Sequence, residues 1–144
     1  MPKKVVSVST KISDSFQIDV NTGKFNFKID QPEPVGLDSA PTPLQYFLSA
    51  LGGCICTVGK TIAKQQKIDL KGIEVNIDGD FDSDVLLGKS TTGRAGFTKI
   101  TVNVKIDADL STEQKEKFIH DVEKRCPVSD NLSHGTEIEL IINS

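Results

Sequence analysis

Apolar and polar residues alternate over much of the first thirty positions. VVSVST alternates, FQIDV does so roughly, and KFNFKI does so clearly, with Phe25, Phe27 and Ile29 on one face. A period of two marks a half-buried strand. Asn21-Thr22-Gly23, between the last two runs, is a turn signal. Residues 4–29 therefore predict an antiparallel meander. The next stretch, DQPEPVGLDSAPTP at 30–43, holds four prolines and a glycine. Fixed φ angles and missing backbone donors make it an extended connector.

The period then changes. Leu44, Phe47, Leu48, Leu51, Ile55, Val58 and Ile62 recur at i, i+3, i+4, i+7 spacing, a helical stripe over about five turns. Thr42 is placed to be the N-cap, Pro43 the first helical residue, and Gln45 the far side of a capping box. Lys60, Lys64 and Lys67 suit the negative end of the helix dipole. Gly52-Gly53 costs roughly 1 kcal/mol per glycine inside a helix. Such a cost implies a close approach by another element or a substrate.

IEVNID at 73–78 and TKITVNVKID at 98–107 alternate and predict two more strands. GDFDSDVLLGKSTTGRAG between them reads as a long loop. Ser111 opens a second helix with a capping box to Gln114, and Phe118, Ile119, Val122 and Cys126 share a face before Pro127 stops it. TEIELII at 136–142 predicts a last strand. No internal repeat or low-complexity tract is present.

Length allows one domain, residues 1–144, or an intertwined subunit of a dimer. Apolar residues make up 37% and are densest at 44–58, which favours a thin core completed by a partner. A formal charge of −3 without a basic block makes nucleic acid an unexpected partner. No long apolar run follows the charged start, so a secretory signal is not expected and a cytoplasmic location is. Residues 39–59 carry no charge, but Pro41, Pro43, Gln45 and three glycines make a core helix the better reading than a membrane span.

The candidate chemistry lies in Cys54 and Cys126, about seventy residues apart. One is deep in the uncharged helix; the other ends the second helix ahead of a proline. A buried thiol plus a second thiol at a helix end is what a peroxide-reducing pair requires: one sulfur is oxidised and the other resolves it. Buried cysteine is also common as a small hydrophobe, so packing alone stays open for each of the three, and is favoured for Cys56. At 100° per residue Cys54 falls on the edge of the apolar stripe and Cys56 points about 160° away, so no local disulfide closes between them. No zinc or other metal set accompanies them, and no cofactor is expected. His120 and His134 read as surface residues. If PVSDNL begins a helix, Cys126 is its N-cap, where a thiolate is stabilised. A desolvated thiol needs a positive group nearby, and the chain has only two arginines, Arg94 and Arg125. Arg94, in the long loop, is the candidate if the site lies at a subunit boundary; an ordinary solvated arginine is the alternative. Gln45 could orient Arg94 or a peroxide oxygen, its capping role being the simpler account.

PTPLQYFLSALGGC, IEVNIDGDFD, GRAGFTKITVNVKI and KRCPVSDNL, in that order, resemble the OsmC/Ohr family, the osmotically inducible and organic hydroperoxide resistance proteins. The resemblance covers roughly residues 35–144, and LGGC with CPVS is its most specific part. It implies an α+β, OsmC-like fold with curled antiparallel sheets around long central helices, and an intertwined homodimer with sites at the subunit boundary. It implies Cys54 as the peroxidatic thiol of an organic hydroperoxide reductase and Cys126 as the resolving thiol. A dithiol, lipoyl-linked in the best-known members, would return both to thiols. The peroxidase branch has a glutamate where this chain has Leu44, and an arginine in the N-terminal strands where this chain has only lysines such as Lys11, Lys24 and Lys28. The OsmC-like branch, with a loop arginine before an aromatic as in Arg94-Ala95-Gly96-Phe97, is the nearer match. A redox or ligand-binding protein without peroxidase activity on the same scaffold is the alternative.

Overall fold

Strand β1 (Ser9–Ile12) opens a three-stranded antiparallel sheet in a computed structural model that describes residues 2–143. It continues through β2 (Ile18–Asn21) and β3 (Asn26–Ile29) in chain order, the expected meander. Contacts divide the chain into two units, residues 1–47 and 48–144. The sheet belongs to the first. Val20 opposes Phe27, and Ile18 opposes Ile29, so the apolar positions share a face. Phe27 also rests on Tyr46, with ring centroids 5.1 Å apart.

The first expected strand is shorter than its pattern. Ser9 pairs with Asn21, the last residue of β2, and the chain then turns, with Thr22 N–H bonded to Phe25 O at 2.9 Å. Nothing remains in this sheet for residues 5–8 to pair with. Val5 and Val6 stand 90% and 92% exposed.

The proline-rich connector is ordered around a residue that its composition does not single out. Asp30 is fully buried. Its carboxylate accepts the Ser39 hydroxyl at 2.5 Å, and the backbone N–H groups of Gln31 at 2.8 Å and Ser39 at 3.2 Å. Leu37 N–H adds a longer bond of 3.3 Å. These donors take the place of the water the carboxylate has lost.

Helix α1 (Pro43–Gln65) begins with the expected reciprocal bonds: Thr42 N–H to Gln45 Oε1 at 2.9 Å, and Gln45 N–H to Thr42 Oγ1 at 3.3 Å. By length and composition α1 is long and apolar enough to cross a membrane. Its stripe is committed to a core, however, through Leu51, Ile55, Ile62 and Ala63.

The second unit holds the body of α1, strands β4 (Leu70–Phe81) and β5 (Phe97–Ala108), and three further helices: α2 (Ser83–Leu86), α3 (Thr112–Arg125) and α4 (Pro127–Ser133). β4 and β5 pair antiparallel, with Ile73 opposite Ile106, Val75 opposite Val104 and Ile77 opposite Val102. The close approach predicted at Gly52-Gly53 falls elsewhere. A Cβ on Gly52 would make ordinary contact with Ile77 at 3.4 Å, and one on Gly53 would meet nothing. The tight place is Gly59, where a Cβ would come within 2.5 Å of Ile73 Cδ1 and 3.6 Å of the Phe118 ring. The long loop shrinks to 82–96, because both strands run further than their patterns, and it contains α2, capped by Asp82.

The expected last strand, 136–142, is not formed. A strand needs a second edge to satisfy its backbone groups. Among the described residues none pairs with this segment, and Ile142 is 94% exposed. The α+β class with antiparallel sheets is as expected.

Two tests follow from this packing. Ile62 has no accessible surface, and Ile62→Ala is expected to lower unfolding stability by about 2–5 kcal/mol in urea titration. The Ser39 hydroxyl, followed by Gln31 N–H, holds the Asp30 carboxyl below its ordinary 3.8. The stabilisation is therefore present above about pH 3.8 and is lost as pH falls through the folded value. Asp30→Asn is expected to be less stable at pH 7, and its urea midpoint to fall less on acidification than that of the parent.

Candidate functional site

Cys54 sits at the edge of the α1 stripe, half-buried and packed against the core formed by Leu51, Ile55, Phe118 and Val122. Cys126 owes its position to the next residue. Proline disfavours helical dihedrals in the residue before it, and Cys126 is extended at φ −83°, ψ 111°. It therefore ends α3 and is also the N-cap of α4, with Pro127 in the first helical position. This break turns the side chain inward, where Cys126 is fully buried.

The two sulfurs meet. Cys126 Sγ donates to Cys54 Sγ at 2.9 Å, and both are free thiols. A disulfide requires S–S near 2.05 Å, so bond formation needs a shift of roughly 1 Å and no refolding.

The expected thiolate stabilisation at the α4 N-cap is outweighed. Burial is the largest influence and pushes the Cys126 thiol above its ordinary 9.0, and the Cys54 sulfur acts in the same direction. The Ser129 and Val128 amides pull the other way and lose. Cys126 is thus held as a thiol, the form that can donate.

The remaining candidates lie apart from this pair. Arg94 is exposed and, among the described residues, makes no hydrogen bond or ion pair. It folds along its own loop, with Nε 3.6 Å from where a Gly96 Cβ would stand. Gln45 spends its amide oxygen on the capping box. Cys56 is half-buried, directs its sulfur at the Ile73 carbonyl 3.9 Å away, and lines a groove of about 380 Å³ with Thr57, Lys60, Thr61 and Lys64. His134 pairs with Asp130 at 3.1 Å, and His120 is exposed. No group of three metal-ligating side chains gathers among the described residues.

One contact had no counterpart in the sequence reading. Arg125 Nη1 donates to Gln65 Oε1 at 2.9 Å, tying the residue before Cys126 to the end of α1. Its only sequence signal is adjacency to Cys126.

Because Cys126 is raised, the stability it contributes is present below about pH 9.0 and is lost as pH climbs through the folded value. Denaturant midpoints are expected to fall above pH 9, with that part of the fall absent in Cys126→Ser. With no accessible surface, Cys126 is expected to react with iodoacetamide at least about tenfold more slowly in the native protein than in the unfolded chain, as read by peptide mass.

Comparison with known proteins agrees with the fold. The model of the family described as OsmC-like protein matches residues 36–141. A "Hydroperoxide reductase" of Mycoplasma genitalium is 26% identical over 133 residues, covering 92% of this chain and 89% of the relative. An uncharacterised protein of Methanocaldococcus jannaschii is 31% identical over 104 residues, or 70% of this chain; the match spans only 49% of that relative's length. The crystal structure of an OsmC-like protein from Mycoplasma pneumoniae superposes with a TM-score of 0.81 at 21% identity, covering 93% of this chain and 91% of the other. With the family model spanning most of its length and the fold in agreement, the chain belongs to the OsmC-like protein family.

Proposed function

We propose that the protein is a thiol-dependent hydroperoxide reductase acting in oxidative-stress defence, with Cys54 as peroxidatic and Cys126 as resolving cysteine. The observation that carries this reading is the 2.9 Å contact in which the Cys126 thiol donates to Cys54 Sγ. Family membership and the relative named hydroperoxide reductase support it.

In this reading the Cys54 thiolate attacks the outer oxygen of an organic hydroperoxide. The O–O bond breaks, an alkoxide leaves and takes up a proton, and Cys54 becomes a sulfenic acid. Cys126 then attacks Cys54 Sγ, the S–O bond breaks, and water departs with the proton of the Cys126 thiol. A dithiol reductant, in keeping with a lipoyl-linked one, restores both thiols. Half-buried Val58, one turn along α1 from Cys54, supports an alkyl hydroperoxide over hydrogen peroxide, because each Å² of tail buried contributes about 25 cal/mol.

The reading extends to a cytoplasmic homodimer. Its support is the exposure of apolar, strand-patterned segments at both chain ends, Val5–Val8 and Ile138–Ile142. Arg94, which makes no hydrogen bond or ion pair among the described residues, is assigned to thiolate stabilisation at the subunit boundary. Gln45 is assigned a positioning role through the cap of the helix that carries Cys54.

A non-peroxidase redox or ligand-binding protein is the second reading. It is favoured by the absence, among the described residues, of a hydrogen bond between an arginine and either sulfur. Thiol counting and intact mass after one equivalent of cumene hydroperoxide separate the two. Peroxidase chemistry is expected to consume two thiols rapidly with a mass decrease of about 2 Da. Cys54→Ser is expected to lose that reaction, with peroxide turnover falling at least about a hundredfold. Three unreacted thiols in the parent protein would sink the peroxidase reading.

A further inference from the structure

The two sulfurs are in contact but are not equivalent. Cys126 has no accessible surface and is enclosed with Leu51, Ile55, Phe118 and Val122. Cys54 is half-buried and therefore retains a solvent-facing side. Thiol–disulfide exchange proceeds through attack of a thiolate on one sulfur of the pair, and access decides which sulfur is attacked. The attacker approaches opposite the sulfur that will leave. At Cys126 the approach lies through the packed core, whereas Cys54 is the one of the two that keeps accessible surface. Resting on the proposed thiol chemistry, we infer that the reductant enters the Cys54–Cys126 disulfide at the Cys54 sulfur and expels Cys126.

The step balances. The incoming thiolate forms a new S–S bond with Cys54 as the Cys54–Cys126 bond breaks, and the electron pair leaves on Cys126 as a thiolate that takes up one proton. A second reductant thiolate then attacks the mixed disulfide on its reductant sulfur and releases the Cys54 thiolate. In total the protein disulfide gains two electrons and the reductant loses two, ending as its own disulfide.

A competing influence runs the other way. A thiol with a raised pKa is a poor leaving group, and burial raises Cys126. Leaving ability therefore opposes expulsion of Cys126, and access must outweigh it. The expelled sulfur also stays beside Cys54 and can close the bond again, so the mixed disulfide is short-lived and has to be caught early.

The test uses the full protein oxidised with diamide, so it needs no hydroperoxide and stands apart from the peroxidase question. Oxidised protein is mixed with excess 2-mercaptoethanol and quenched in acid at the earliest times. It is then alkylated in denaturant and digested, and the adduct is located by peptide mass. The adduct is expected on Cys54 with alkylated Cys126, in at least about tenfold excess over the reverse arrangement. An adduct on Cys126, an even split, or failure to form the disulfide or to react would each overturn the inference. A Cys54 adduct in a protein that ignores cumene hydroperoxide would uphold this inference while ending the peroxidase reading.

Discussion

At Gly59 of α1 a Cβ would meet the flexible tip of the Ile73 side chain of β4 and touch the Phe118 ring. The core of the second unit is built around this contact. It lets one helix face bury Leu51, Ile55, Ile62 and Ala63 against a sheet of only two strands, with Phe118 and Val122 of α3 closing the other side. A glycine inside a helix costs roughly 1 kcal/mol relative to alanine. Each large apolar side chain buried beside it returns about 1.5–3 kcal/mol, so the exchange favours the close packing. Phe118 precedes Cys126 on the same helix. The contact at Gly59 thus helps fix where the end of α3 falls along α1, and hence where the second sulfur meets the first.

Electrostatics at the sulfur pair is a contest that burial wins. A helix N-terminus stabilises an adjacent anion by about 0.3–1 kcal/mol. Removing a charged group from water costs far more unless a partner compensates. Cys126 is at the N-cap of α4 yet is pushed up, because the core surrounds it and the neighbouring sulfur adds to the shift. A resolving thiol that is protonated and already in contact differs from a second nucleophile competing for substrate. In the proposed chemistry it acts only after Cys54 has become electrophilic.

What the sequence discloses follows the range of the interactions. Both capping boxes, Thr42 with Gln45 and Ser111 with Gln114, formed as read because each spans one helical turn. The meander and the β4–β5 pair were legible from alternation, with boundaries that moved by a few residues. Cys54 and Cys126 stood out from local context, but their 2.9 Å separation depends on helices joined through a two-stranded sheet. Asp30 was invisible because three of its donors are backbone N–H groups, which carry no residue identity, and its one side-chain donor, Ser39, lies nine residues away. Gly59 was overlooked beside the more conspicuous Gly52-Gly53, since sequence gives the cost of a helical glycine and not which element fills the space.

The two failed strands differ from these misses. Residues 5–8 and 136–142 have sound strand patterns, and what they lack is an edge. Exposed apolar segments with strand periodicity are templates for pairing with another chain, and folded proteins cover or blunt them. Neither end is blunted by proline. The N-terminal run is VVSV, and the C-terminal run TEIELII carries two charges, Glu137 and Glu139. A pattern that is right and unpaired within one chain is best explained by an edge supplied from outside it. The modest apolar content points the same way: the 37% apolar share includes both exposed ends, leaving still less for the core of a lone chain. The proposed second protomer would turn both apparent errors of pattern reading into statements about assembly.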